Sequence, residues 1–198
     1  IAPKIVPNEI IGWNKFTQNC KNSDGFFTTP GIFSPKKADA ASRLLTESFN
    51  GELSGNVADL GSGWGYLSFF ATKTCPNIGQ IVLFEHDLRA INSSKVNIND
   101  PRAIFKWTDL SSNSKIEREF DHVICNPPFH AGRYKDINLG ILFLETAARV
   151  LKKNGKFWLV SNIHLPYEKA LVKLFKKRRV IKETKFFISF LKEGKYRL

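Results

Sequence analysis

Short apolar runs and amphipathic stretches alternate along most of the chain. Asn56–Leu60, Gln80–Glu85, Ala103–Trp107, His122–Asn126 and Lys156–Asn162 are compact apolar segments of strand length. Between or after them, Tyr66–Lys73, Leu88–Asn99, the stretch from about Ile137 to Lys152, and Tyr167–Lys177 read as helices. Upstream, Ala38, Ala41, Leu44, Leu45 and Phe49 fall on one helical stripe, and Ser34-Pro35 reads as its N-cap and first-turn proline. Val180–Thr184 and Phe186–Leu191 close the chain as a strand pair, and residues 1–30 are an irregular lead-in with a short hairpin around Phe26 and Phe27. Strands that alternate with helices must pair in parallel, with helices covering both faces. The expectation is an α/β domain: a doubly wound, seven-stranded, mostly parallel sheet with an antiparallel C-terminal strand pair.

The 198 residues suit one domain, and no apolar stretch has membrane-helix length. No signal-peptide pattern opens the chain, which contains no Met, so a processed or truncated product is expected. Cys20, Cys75 and Cys125 lie far apart, without zinc-ligand spacing, so no metal site is expected. Their odd number fits a reducing, cytoplasmic compartment, with Cys125 a small core residue. The net charge is +12, and from Lys152 to Leu198 there are 14 Lys/Arg against 3 acids. Such a bias suits a phosphate-rich partner or a solvated surface.

The stretch VADLGSGWGYLS (57–68) runs strand, glycine-rich turn, helix. Gly61, Gly63 and Gly65 let backbone pass close to a ligand, and the helix start offers free N–H groups. The spacing is G-x-G-x-G, neither the dinucleotide pattern nor a P-loop, so a ligand lacking a pyrophosphate is expected. Asp59, Glu85 and Asp109 follow three successive strands, at the sheet edge where α/β proteins bind ligands. Glu85 suits a ribose, and Asp109 an adenine amine.

After the fourth strand comes ICNPPFH (124–130). A base amine is a weak nucleophile because its lone pair is delocalised into the ring. Two acceptors that hold its two hydrogens turn the lone pair toward an electrophile. The Asn126 side-chain oxygen and the Pro127 carbonyl are such a pair, proline fixing the direction of the second. Phe129 can stack on a flipped-out base. No general base is required, so positioning and electrostatics carry the chemistry.

With these motifs in place, the chain resembles a class I S-adenosylmethionine-dependent methyltransferase of the methyltransferase small family, nearest the small-subunit rRNA guanine-N2 enzymes. The resemblance runs from about Gly25 to the C-terminus. It rests on TTPGIFS (28–34), DLGSGWGYLS (59–68), FDHVICNPPFH (120–130) and NIHLPY (162–167). It implies a Rossmann-like methyltransferase domain over 31–198. Asp59, Gly61, Ser62, Gly63 and Gly65 would hold the methionine part of S-adenosylmethionine. Glu85 would bind the ribose and Asp109 the adenine. Asn126, Pro127 and Phe129 would hold the target guanine amine, and Phe33 and Ser34 would help close the cofactor pocket. The partner implied is 16S rRNA or the small ribosomal subunit. Adenine-N6 or tRNA amine methylation by the same NPPF chemistry is the alternative. A non-catalytic RNA-binding domain ranks lower, because glycine loop and NPPF are both intact.

Members of this group often carry an inactive methyltransferase-like domain ahead of the catalytic one. Here only a short lead-in precedes it, which leaves open a removed half or a one-domain relative. KKRR (176–179) is expected at the end of a helix, complementing its dipole or contacting rRNA phosphates. AGRYKDINLG (131–140) is read as an RNA-backbone contact or a solvated loop. His130 is weighed as a proton acceptor after transfer, and His164 lies near the expected cleft. Trp64 and Trp107 are expected to wall the cofactor pocket or pack the core.

Overall fold

The structure, a computed structural model, describes residues 20–110, 116, 120–128, 130–131, 134–135 and 137–195. A short hairpin, β1 (Cys20–Lys21) with β2 (Phe27–Thr28), precedes helix α1 (Ala40–Phe49). Then follow β3 (Gly55–Leu60), α2 (Tyr66–Thr74), β4 (Ile78–Glu85), α3 (Leu88–Asn97), β5 (Ala103–Trp107) and β6 (Phe120–Cys125). A two-residue pairing of β7 (His130–Ala131) with β8 (Tyr134–Lys135) leads into α4 (Ile137–Val150). The chain continues through β9 (Leu151–Asn162), α5 (Glu168–Leu174), β10 (Phe175–Glu183) and β11 (Phe187–Lys195).

Seven strands form the main sheet in the order β10-β11-β9-β6-β3-β4-β5. β5, β4, β3, β6 and β9 are parallel; β11 runs antiparallel to both β9 and β10. The chain goes outward from β3 to β4 and β5, then returns to place β6 on the other side of β3. β3 and β6 therefore flank the switch point, where a crevice opens beyond the strand ends.

Period-two alternation assigns each strand residue to one of two cores. Val57, Ile81, Leu83, Ile124, Trp158 and Val160 pack with α1, α2 and α3. Ala58, Leu60, Val82, Val123, Cys125 and Leu159 pack with α4 and α5. Strands buried on both faces have no polar side to show, which is why they read as continuous apolar runs. Cys125 is buried, and burial raises its thiol pKa well above the usual value, consistent with a core residue.

Three expectations are corrected. The cap of α1 is Asp39, whose Oδ1 accepts the Ala41 and Ser42 N–H groups at 3.0 Å each; Ser34 instead sits at φ 48° in the preceding turn. Asp is as good a cap as Ser, and here it immediately precedes the apolar stripe. The second concerns Leu151 and Lys152, which belong to β9 rather than to the helix before it, because Leu151 pairs with Phe120 of β6. The third is KKRR, which lies inside strand β10 rather than at a helix end, paired along β11. A charged edge strand resists pairing with other chains, so tertiary context outweighs the helical propensity of Lys and Arg.

Candidate functional site

The glycine turn is shaped by the end of β4. Gly61 and Ser62 both donate their N–H to the Phe84 carbonyl, at 2.9 and 3.1 Å, and Gly63 donates to Glu85 Oε2 at 2.8 Å. Gly61 has φ +72°, and a Cβ there would meet Phe143 Cε1 at 2.9 Å, so a side chain is excluded both by conformation and by packing. Gly65 (φ 88°) delivers the chain into α2. Glu85 is locked as well: Oε1 accepts the His86 and Asp87 N–H groups at 2.9 and 2.8 Å. The Thr108 N–H reaches the Glu85 carbonyl at 2.8 Å, and exposed Asp109 follows directly.

Asp59, the penultimate residue of β3, faces α2 and is fully buried. Its Oδ2 accepts the Ser68 hydroxyl at 2.6 Å. Burial pushes its carboxyl up to about 7; the Ser68 bond opposes that rise and the nearby Glu85 charge adds to it. Asp59 Oδ1 and the Ser62 hydroxyl are buried without a hydrogen-bond partner. Buried polar atoms are ordinarily satisfied, so two orphans beside the glycine turn mark a place for a ligand. A cationic amine would suit this carboxylate, and Gly63, with nothing within 4 Å of its Cβ position, leaves open space beside it.

On the other side of the switch point, the Asn126 amide is held from behind. Its Nδ2 donates to Ser42 Oγ at 3.0 Å and to Asp39 Oδ1 and Oδ2 at 3.3 and 3.5 Å. An amide whose nitrogen faces a carboxylate has its oxygen turned away from it, and an oxygen is what must accept an amine hydrogen. The carboxylate that caps α1 therefore also sets the orientation of Asn126. Both it and Ser42 lie outside the motifs legible in the sequence. Asp39 was discoverable as a strong cap beside an apolar stripe, whereas nothing local marks Ser42.

A cleft joins these parts, lined by Phe33, Asp39, Ser42, Gly61, Ser62 and Asn126 among others. Phe33 stands at its mouth, 61% exposed. Asn126 and the glycine turn thus share one cavity. Asp59 and Glu85 support the turn from below and beside it, and Asp109 lies farther along the same sheet edge. Pro127 is buried; Phe129 lies outside the described residues, as do the side chains of His130 and of 131–136. His164 is exposed on the loop after β9. Trp64 is buried against Phe26 (ring centroids 5.1 Å) and lines the cleft. Trp107 is 66% exposed at the end of β5, its ring N–H donating to the His86 carbonyl at 2.8 Å; it does not pack the core. KKRR lies in the first half of β10, the edge strand three positions from β6; Arg179 pairs with Leu191, Leu191 with Trp158 of β9 and Trp158 with Ile124, so KKRR is displaced sideways from the cleft.

A doubly wound sheet with a glycine turn and a polar cleft at its switch point defines a Rossmann-like ligand-binding domain. The family model described as methyltransferase small domain matches residues 24–190, and the chain belongs to that family. It is 35% identical to the ribosomal RNA small subunit methyltransferase C of Photorhabdus laumondii over 157 residues, 79% of this chain and 46% of the relative. It is 33% identical to the ribosomal RNA large subunit methyltransferase G of Magnetococcus marinus over 183 residues, 91% of this chain and 48% of that one. Among solved structures, the T. thermophilus 16S rRNA N2 methyltransferase RsmC, in complex with AdoMet and guanosine, superposes with TM-score 0.74 at 29% identity. That likeness covers 89% of this chain and 49% of the other. The chain spans about half the length of the curated relatives it matches.

Proposed function

We propose that this domain transfers a methyl group from S-adenosylmethionine to the exocyclic N2 amine of a guanine in 16S rRNA. The observation that carries the reading is the Asn126 amide, fixed by Asp39 and Ser42 so that its oxygen is available in the same cleft as the glycine turn. The relatives' names and the AdoMet and guanosine of the T. thermophilus structure favour the guanine over an adenine or a tRNA amine. Residues 31–198 form the catalytic unit in this reading, which works in the cytoplasm on rRNA or the small subunit.

S-adenosylmethionine, when bound, supplies an activated methyl group. Asp59 and the Ser62 hydroxyl, the two unsatisfied polar groups beside the glycine turn, would take its amino-acid end with Gly61, Gly63 and Gly65; Glu85 would meet the ribose and Asp109 the adenine. Asn126 and Pro127 would hold the amine hydrogens and aim the lone pair, Phe129 would stack on the base, and Phe33 and Ser34 would close the mouth. Charge is handled by fixed dipoles already in place, which costs no reorganisation during transfer.

The test is transfer of tritium from labelled S-adenosylmethionine to small subunits, naked rRNA and tRNA, followed by nucleoside analysis. N2-methylguanosine in rRNA is expected. N6-methyladenosine, or label confined to tRNA, would move the assignment to the alternative. Asn126→Ala is expected to abolish transfer while cofactor binding by calorimetry stays nearly intact. Full activity in that variant would remove the amine clamp from the mechanism.

A further inference from the structure

β9 and β11 extend beyond the strand that carries Asn126. Cys125 is level with Leu159 of β9, whereas β9 continues to Asn162, which pairs with Phe187 of β11. Three further residues carry this pair about 10 Å above the level of Cys125, and two strand spacings set β11 roughly 10 Å to the side of β6. The turn Thr184–Phe186, which joins β10 to β11, thus stands beyond the same sheet edge as Asn126, to one side of the cleft. The turn is rigidly tied. The Thr184 N–H donates to the Phe187 carbonyl at 2.8 Å, and the Thr184 hydroxyl accepts the Phe187 N–H at 3.0 Å. The Ile163 N–H donates to the Phe186 carbonyl at 3.1 Å, bonding the turn to the loop after β9.

On this fixed turn Phe186 is 56% exposed, Ile163 beside it is 38% exposed, and the Lys185 ammonium lies 5.6 Å from the Phe186 ring centroid. A single exposed apolar residue means little. An aromatic ring held on a hydrogen-bonded turn beyond the sheet edge that carries Asn126, with a cation beside it, has the two groups that single-stranded RNA requires: a flat face for a base and a positive charge for the backbone. We infer that Phe186 and Lys185 form a docking step for a nucleotide that flanks the methylated one, the base stacking on Phe186 and its phosphate meeting Lys185. The inference rests on the RNA methyltransferase reading above. A target base turned into the cleft leaves its neighbours unstacked, and a nearby aromatic offsets that loss.

The test measures binding of a labelled single-stranded RNA, with inorganic polyphosphate as a probe of charge alone, together with methyl transfer to rRNA. Phe186→Ala is expected to weaken RNA binding about five-fold or more, to leave polyphosphate binding unchanged and to raise KM for RNA more than it lowers kcat. Phe186→Trp restores binding and Phe186→Leu does not, with thermal midpoints alike. RNA affinity within about two-fold of the parent in Phe186→Ala, or rescue by Leu, overturns the stacking step. Failure of the two readings is separable. If the parent transfers no methyl group to any RNA yet Phe186→Ala still loses RNA affinity, the docking step stands and the catalytic reading falls. If the parent methylates rRNA and Phe186→Ala binds and turns over normally, the docking step alone falls.

Discussion

Asp39 serves two structures at once: it caps α1 and orients Asn126. Asn at the same position caps almost as well but carries no charge to hold the amide. Asp39→Asn is therefore expected to melt within about 2 °C of the parent and to lose roughly ten-fold in kcat, with cofactor affinity little changed; Asp39→Ala loses about 1 kcal/mol of stability in addition. Equal kcat in Asp39→Asn, measured in single turnover, would remove its positioning role. Asp59 makes a pH prediction. Its folded-state pKa of about 7 lies above the ordinary carboxylate value, so its contribution to stability is full below about pH 4 and is lost as pH rises through 7. His122 works in the opposite direction. Burial, with the Lys156 charge, lowers its pKa to about 4, so its contribution is lost as pH falls from 6.5 through 4. In cofactor-free protein, Asp59→Asn should remove the first effect and leave the second, gaining stability over the parent at about pH 8 but not at about pH 4. An identical pH profile in denaturant melts would contradict the raised pKa.

At the scale of elements, the site depends on a strap formed by the hairpin before α1. Asn97, the last residue of α3, ties it down. Its Oδ1 accepts the Phe27 N–H at 2.8 Å, and its Nδ2 donates to the Phe27 carbonyl at 2.8 Å and the Trp64 carbonyl at 2.9 Å. One amide thus joins helix, strap and glycine turn. Asn97→Ala should cost roughly 2–3 kcal/mol and weaken cofactor binding, because the Trp64 carbonyl belongs to the turn itself. A normal melting midpoint with normal cofactor affinity would show the strap to be dispensable. The strands and helices around this strap were legible in the sequence because their periodicity is imposed by two continuous cores. The boundaries that went astray, at Ser34, Leu151 and KKRR, are those where a cap or a strand partner from elsewhere in the chain decides. Asn97 was invisible for the same reason: nothing in the run KVNIND shows that its amide meets residues 70 positions away.

At the scale of the whole molecule, the net charge of +12 and the basic final quarter are sequence facts whose placement matters. KKRR lies on the edge strand β10, three strands from β6, and Lys185 lies on the turn after β10, beyond the level of Cys125. Raising salt from about 50 to 200 mM should weaken RNA binding by an order of magnitude or more and change cofactor affinity less than about two-fold. Salt-insensitive RNA binding would point away from phosphate contacts altogether.

By itself the sequence determined the doubly wound sheet, the glycine turn at the end of β3 and the Asn-Pro-Pro corner at the end of β6. Each is a local pattern, in which hydrophobic period, glycine spacing or proline geometry acts within a few residues. Only the tertiary structure decided what stands behind Asn126 and which polar atoms beside the turn lack a partner. Those are relations between residues brought together by strand order, such as Asn126 and Asp39, 87 positions apart. A hydrogen bond depends on distance in space, which chain spacing does not encode.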